Sequence, residues 1–79
     1  MSARTAFEAL QRIGNVMAIR NGCSVDINTN SRIETSSANR LCDELVALLA
    51  AHDVPAWSTG AIIYDNVVKV DLHPSEAQQ

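Results

Sequence analysis

Seventy-nine residues with a formal charge of −3 leave room for one domain, near the lower size limit for folding without a disulfide or a metal. A hydrophobic share of 47% against 19% charged residues excludes a disordered chain, and with Phe7, Trp57 and Tyr64 as the whole aromatic complement, aliphatic residues and Ala must fill the core. Six Lys plus Arg against nine Asp plus Glu repel the phosphate backbone that dominates nucleic-acid affinity, so the charge balance favours a basic protein partner and no direct contact with nucleic acid.

The first element reads as a helix. Ala6, Phe7, Leu10, Ile13, Gly14 and Met17 recur at spacings of three and four, with Arg4, Glu8, Gln11, Arg12 and Asn15 opposite them. Thr5 with Glu8 fits a capping box, and Ser2 is an earlier alternative cap. Asn21-Gly22 has two readings: a left-handed helix end, or the turn of a hairpin pairing Val16 to Arg20 with Cys23 to Asn28. The helical reading is preferred because the stripe runs on to Met17, whereas that hairpin places Met17 and Ile19 opposite Asp26 and Ser24.

From Cys23 the period changes to two, with Cys23, Val25 and Ile27 alternating with Ser24, Asp26 and Asn28, which predicts a strand with one buried face. Thr29-Asn-Ser31 is turn material, and Arg32 to Thr35 is either a short edge strand or loop. Ser36 or Ser37 is the expected cap of a second helix running to His52. Its broad apolar arc comprises Ala38, Leu41, Cys42, Leu45, Val46, Leu48, Leu49 and His52, opposite Arg40, Asp43, Glu44, Ala47, Ala50 and Ala51. Val54-Pro55 ends it.

The segment from Thr59 to Leu72 predicts a hairpin turning at Asp65-Asn66, with Tyr64 opposite Val67, Ile62 opposite Lys69 and Gly60 opposite Asp71. Ala61, Ile63, Val68, Val70 and Leu72 then form a uniformly apolar core face. Pro74 to Gln79 lacks periodicity and is expected to be a frayed tail. The fold class is therefore α+β in two layers, with two helices on one face of a small antiparallel sheet, in the order helix, strand, helix, hairpin. Leu45 and Leu49 should face Ile63, Val68 and Val70, with Phe7, Leu10 and Met17 completing the core.

That arrangement leaves the sheet's other face without a cover. Ile62, Tyr64 and Val67 lie there among Asp26, Lys69 and Asp71, the mixture of apolar centre and polar rim expected of a protein interface. These six residues are the candidate partner-binding set. The exposed arc of the second helix, with Asp43 and Glu44, is the alternative.

No catalytic, cofactor or metal site is expected. Cys23, Cys42, His52 and His73 are too widely spaced for a chelating pair, and the two cysteines read as buried small hydrophobes in a reducing compartment. His52 reads as a helix-end histidine near the terminal carbonyls and His73 as a solvated one. Asp43 and Glu44 point about 100° apart on a helix and do not converge as an acid–base pair would. Gly14, Gly22 and Gly60 form no phosphate-cradling loop. Trp57 belongs to the core or the hairpin edge, with an interface anchor as the lesser reading. The start of the sequence lacks the pattern of a secretory signal, and the longest apolar run is too short to span a bilayer; the expected location is cytoplasmic, with no membrane contact.

In size, acidity, compact helix-and-sheet plan and lack of catalytic motifs, the whole chain resembles the small phage- and prophage-encoded anti-CRISPR proteins that act on type I systems, with type I-C as the nearest impression. The resemblance implies a protein of the host bacterial cytoplasm, a monomer or weak homodimer. It would bind a basic surface of the RNA-guided surveillance complex and block target DNA binding without chemistry. A small regulatory or antitoxin-like module binding one host protein is the alternative, and a small thiol-based enzyme using Cys23 or Cys42 is the third.

Overall fold

The apolar stripe that opens the chain stops being helical at Ile13. In the computed structural model, which describes residues 2–75, α1 spans Ser2–Ile13, and Gly14 donates its N–H to the Leu10 carbonyl at 3.0 Å. Thr5 thus lies inside the helix, which rules out the capping box at that position. The residues that follow overturn the helical reading of Asn15 to Met17: they begin a strand, β1 (Asn15–Ile19), hairpinned to β2 (Gly22–Asn28). Gly14 is a poor helix former, and beyond it Val16 and Ala18 alternate with Met17 and Ile19 at period two. The loop is Arg20-Asn21, with Asn21 left-handed at φ 63°, so Met17 opposes Ser24 and Asn15 opposes Asp26. Gly22 is obligatory at the start of β2. Its φ is 156°, and a Cβ there would collide with the Leu72 carbonyl oxygen of the neighbouring strand.

The connection after β2 is loop, so Arg32 to Glu34 add no strand. Thr29 Oγ1 lies 2.6 Å from the Ser31 carbonyl and 3.0 Å from the Asn66 carbonyl, tying this loop to the far hairpin. The second helix, α2 (Thr35–Ala51), starts earlier than a Ser36 or Ser37 cap allows: its N-cap is Glu34, whose side chain makes no capping bond. Its other end is closed by backbone geometry before Pro55 is reached. Asp53 is left-handed at φ 62°, its N–H donates to the Ala50 carbonyl, and the Val54 N–H donates to the Leu49 carbonyl. This pair of bonds is a Schellman motif, with Val54 and Leu49 as the apolar contact that accompanies it.

Strands β3 (Ala56–Tyr64) and β4 (Val67–Pro74) pair in the register the sequence predicts: Tyr64↔Val67, Ile62↔Lys69, Ala61↔Val70 and Gly60↔Asp71. Asp65 supplies the positive φ, 50°, that a tight hairpin turn needs. A bulge between Ser58 and Gly60 then shifts the pairing, so that Ser58 opposes Leu72 and Trp57 opposes His73. Pro74 belongs to β4 and the Ser75 N–H donates to the Pro55 carbonyl at 2.9 Å, so the expected tail does not begin at Pro74. Its remainder lies outside the described residues.

The sheet order is β1-β2-β4-β3 with every neighbouring pair antiparallel, which makes β2 and β3 parallel with β4 between them. Both helices pack on one face, giving the expected α+β class with the order α-β-β-α-β-β. The core joins Ala6 and Leu10 of α1, Ala38, Cys42, Leu45 and Leu49 of α2, and Val25, Ile27, Val68, Val70 and Leu72 of the sheet. Ile63 packs against it only partly buried. Two expected core residues are elsewhere: Phe7 and Met17 are exposed.

Candidate functional site

Strand alternation sends Val25, Val68, Val70 and Leu72 toward the helices, and therefore sends Ser24, Asp26, Val67, Lys69, Asp71 and His73 to the opposite face. Three rows cross that face: Asn15–Asp26–Lys69–Ile62, then Met17–Ser24–Asp71–Gly60, then His73 with Trp57. Tyr64 and Val67 close the end nearest the Asp65-Asn66 turn. No helix among the described residues packs on this side. Met17, Trp57, Ile62 and Tyr64 each expose half or more of their surface, while Asp26, Val67, Lys69 and Asp71 are half-buried.

All six residues of the candidate set thus share one face. Sequence reasoning missed Met17, gave Trp57 an interface role only as its lesser reading, and placed Gly60 on this face, opposite Asp71, without including it in the set. Met17 was discoverable from the rejected hairpin, whose register differs from the real one by two residues and so keeps the same face. Placing Trp57 requires the bulge, which has a side-chain signature: the Gly60 N–H donates to Ser58 Oγ at 3.0 Å.

The middle row is the unusual one. Ser24 is almost completely buried although it lies on the uncovered face, between Met17 and Asp71 in register. Asp71 has one carboxylate oxygen, Oδ1, that is buried and without a hydrogen-bond partner, the single such side-chain atom among the described residues. Burial raises the Cys23 thiol above the usual thiol range, and the Asp71 charge raises it further. Beyond Asp71 the row ends at Gly60, with φ 130°, where a Cβ would meet nothing within 4 Å. The surface is therefore open at Gly60, the register partner of the residue that carries the unsatisfied acceptor.

Comparison of the chain with protein-family models, curated proteins and solved structures finds no match.

His73, expected to be solvated, is half-buried and makes two contacts at the surface. Its ring stacks on Trp57 with centroids 4.6 Å apart and planes inclined by 28°, and its Nδ1–H donates to the Asn21 carbonyl at 2.9 Å. This holds the indole upright at the end of the face and links the β1–β2 loop to β4. Likewise, His52 meets α1 with its side chain: its Nδ1 lies 3.3 Å from Thr5 Oγ1, and the backbone N–H of His52 satisfies the Leu49 carbonyl.

Asp43 and Glu44 are both exposed on α2. Asp43 borders an open groove of about 520 Å³ between α2 and the free edge of β3, shared with Val46, Ala47, Trp57 and Gly60. The two candidate surfaces accordingly meet at the β3 edge. A second cleft, about 160 Å³ and walled by Phe7, Leu10, Cys23, Leu49, Val54 and Leu72, opens between α1 and the sheet. Cys23 is half-buried and Cys42 buried, both as free thiols. Among the described residues no three His, Cys, Asp or Glu side chains cluster as metal ligands, and no helix is long and apolar enough to cross a membrane.

Proposed function

We propose that this protein is a non-catalytic inhibitor of the anti-CRISPR kind, which docks the uncovered face of its sheet on a basic surface of a type I surveillance complex and blocks target DNA binding. The observation that carries the docking reading is the exposure of Met17, Trp57, Ile62 and Tyr64 on one sheet face. Large apolar side chains gathered on a face this small lose free energy in water and gain it on being covered. Asp26, Lys69 and Asp71 among them supply the polar groups that fix orientation. A formal charge of −3 favours encounter with a basic, DNA-binding channel, and the whole-chain resemblance in size and acidity directs the choice to type I systems. Inhibition needs only occupancy of the channel, so the bacterial cytoplasm is the site of action.

Affinity for a purified type I surveillance complex tests this directly. Tyr64→Ala should weaken binding by about 2 kcal/mol, roughly 30-fold, with little change in melting temperature. The double change Asp43→Lys with Glu44→Lys should act mainly on the association rate. Unchanged affinity for Tyr64→Ala with complete loss for the double change would move the docking site to α2, and absence of binding by the wild-type chain would end the anti-CRISPR reading.

A further inference from the structure

We propose that the open surface over Gly60, the register partner of Asp71, receives a guanidinium group, so that an arginine side chain of the protein partner is the anchor of the docked face. The inference rests on the sheet face being the docking surface and names the chemistry it takes up. Asp71 Oδ1 is buried and unpaired, while the side chain as a whole keeps part of its surface open. A carboxylate oxygen in that state loses its hydration without a compensating bond, which a donor arriving from outside would supply. Rotation about χ2 is soft for Asp and brings either oxygen to the surface.

The space for that donor lies alongside. Gly60 is the β3 partner of Asp71, and its missing side chain leaves an opening between Trp57 and Ile62 on the same face. Asp43 lies in the groove that continues round the strand edge past Gly60, adding a second negative charge to the approach. Two cations border this region: Lys69 stands in the neighbouring row between Asp26 and Ile62 and forms no ion pair among the described residues, and Arg20 lines an open pocket of about 470 Å³ with Trp57, Thr59 and His73. Guanidinium fits better than ammonium for three reasons. It presents several donors in a fixed plane to whichever carboxylate oxygen is turned outward, it is weakly hydrated and so enters a half-dry site readily, and its flat face stacks on an exposed indole such as Trp57. The apolar ring of Met17, Trp57, Ile62 and Tyr64 would shut water away from the bond once the partner is seated.

The test uses the intact chain and N-acetyl-arginine amide as the probe, followed by nitrogen–proton NMR at constant ionic strength. Saturable shifts of the Gly60 amide and the Trp57 indole N–H are expected, at least about fivefold weaker with N-acetyl-lysine amide, and lost in Asp71→Asn. Asp71→Val, which removes the orphaned oxygen, should melt at the same or a higher temperature and also fail to bind the probe. Absence of saturable shifts, or equal shifts in wild type and both variants, overturns the arginine site. Affinity for the surveillance complex separates the two claims: loss with Tyr64→Ala but not with Asp71→Asn overturns the arginine anchor and leaves the docking face standing. Arginine titration that depends on Asp71, combined with complex binding indifferent to both substitutions, overturns both the anchor and the docking face and leaves only a guanidinium-binding site at Asp71.

Discussion

Leu45→Ala is the sharpest check on how α2 is seated. Leu45 is 2% exposed, on the buried face of α2 and in one core with Val68 and Val70 of β4. The substitution removes the equivalent of about three methylenes, at ~0.8 kcal/mol each, or about 2.4 kcal/mol of transfer free energy. A cavity term adds to this, because β-branched valines on two central strands have few rotamers with which to collapse into the void, and a total of about 3 to 4 kcal/mol is expected. A chain of this length has a stability of roughly 4 to 12 kcal/mol, so the variant should be barely folded or should melt some 15 °C or more lower. Urea unfolding monitored by circular dichroism measures the change, provided that the slope m stays constant. Phe7→Ala is the comparison: at 46% exposure it should lose clearly less than a fully buried aromatic would. A Leu45→Ala change within about 0.5 kcal/mol of wild type would show that α2 does not present this face to the sheet.

Gly22→Ala should destabilise the fold by about 2 kcal/mol or more, because it combines a disfavoured φ with a collision against the Leu72 carbonyl, whereas Gly60→Ala should lose less, having the φ penalty alone; thermal melts of the two variants check the order. Chelator and reductant should each leave the melting temperature unchanged, and a drop of more than a few degrees with either would reveal a metal or disulfide on which the fold depends. The Cys23 thiol, raised by burial and by Asp71, should react slowly with a disulfide reagent at neutral pH, and Asp71→Asn should speed the reaction. The sign of the linked stability follows: the folded state holds the thiol proton more tightly, so this contribution is complete below the unfolded thiol's pKa and is lost as pH rises through the folded value. Alkaline melts of wild type and Cys23→Ser would read that loss as a difference confined to high pH.

The β3–β4 hairpin was legible residue by residue because a two-residue turn and a uniformly apolar alternate set leave one register that buries the right face. The α2 arc was legible for the same kind of reason. Residues 15–19 were not, since Leu10, Ile13, Gly14 and Met17 satisfy helical spacing and the competing hairpin seemed to waste Met17 on a polar face. That inference assumed that apolar residues go inside. It fails on the sheet face without helices, where Met17 of β1 is exposed in the same face as Ile62 and Tyr64. Trp57 could not be assigned to this face from the sequence because one extra residue at the Ser58–Gly60 bulge changes its pairing partner. The orphaned oxygen of Asp71 has no sequence signal at all: it arises from three strands placing Ser24, Asp71 and Gly60 side by side.

The sheet order has a kinetic meaning. Each of the two hairpins, β1–β2 and β3–β4, closes over a short loop, and the β2–β4 ladder is the strand pairing that joins them, between partners about forty to fifty positions apart, from Asn28↔Val67 to Cys23↔Leu72. Forming that seam closes a long loop with α2 inside it, so the main entropic barrier to folding falls on one event, after which the remaining contacts zip. Conversely, unfolding parts the molecule along Val25 and Val70, and amide exchange in β2 and β4 should share a single slow opening, with β1, held on one side only, exchanging sooner. The surface that carries Tyr64 and Ile62 rides on one side of that seam and Met17 on the other, so the proposed docking face exists as a whole only while the seam is closed.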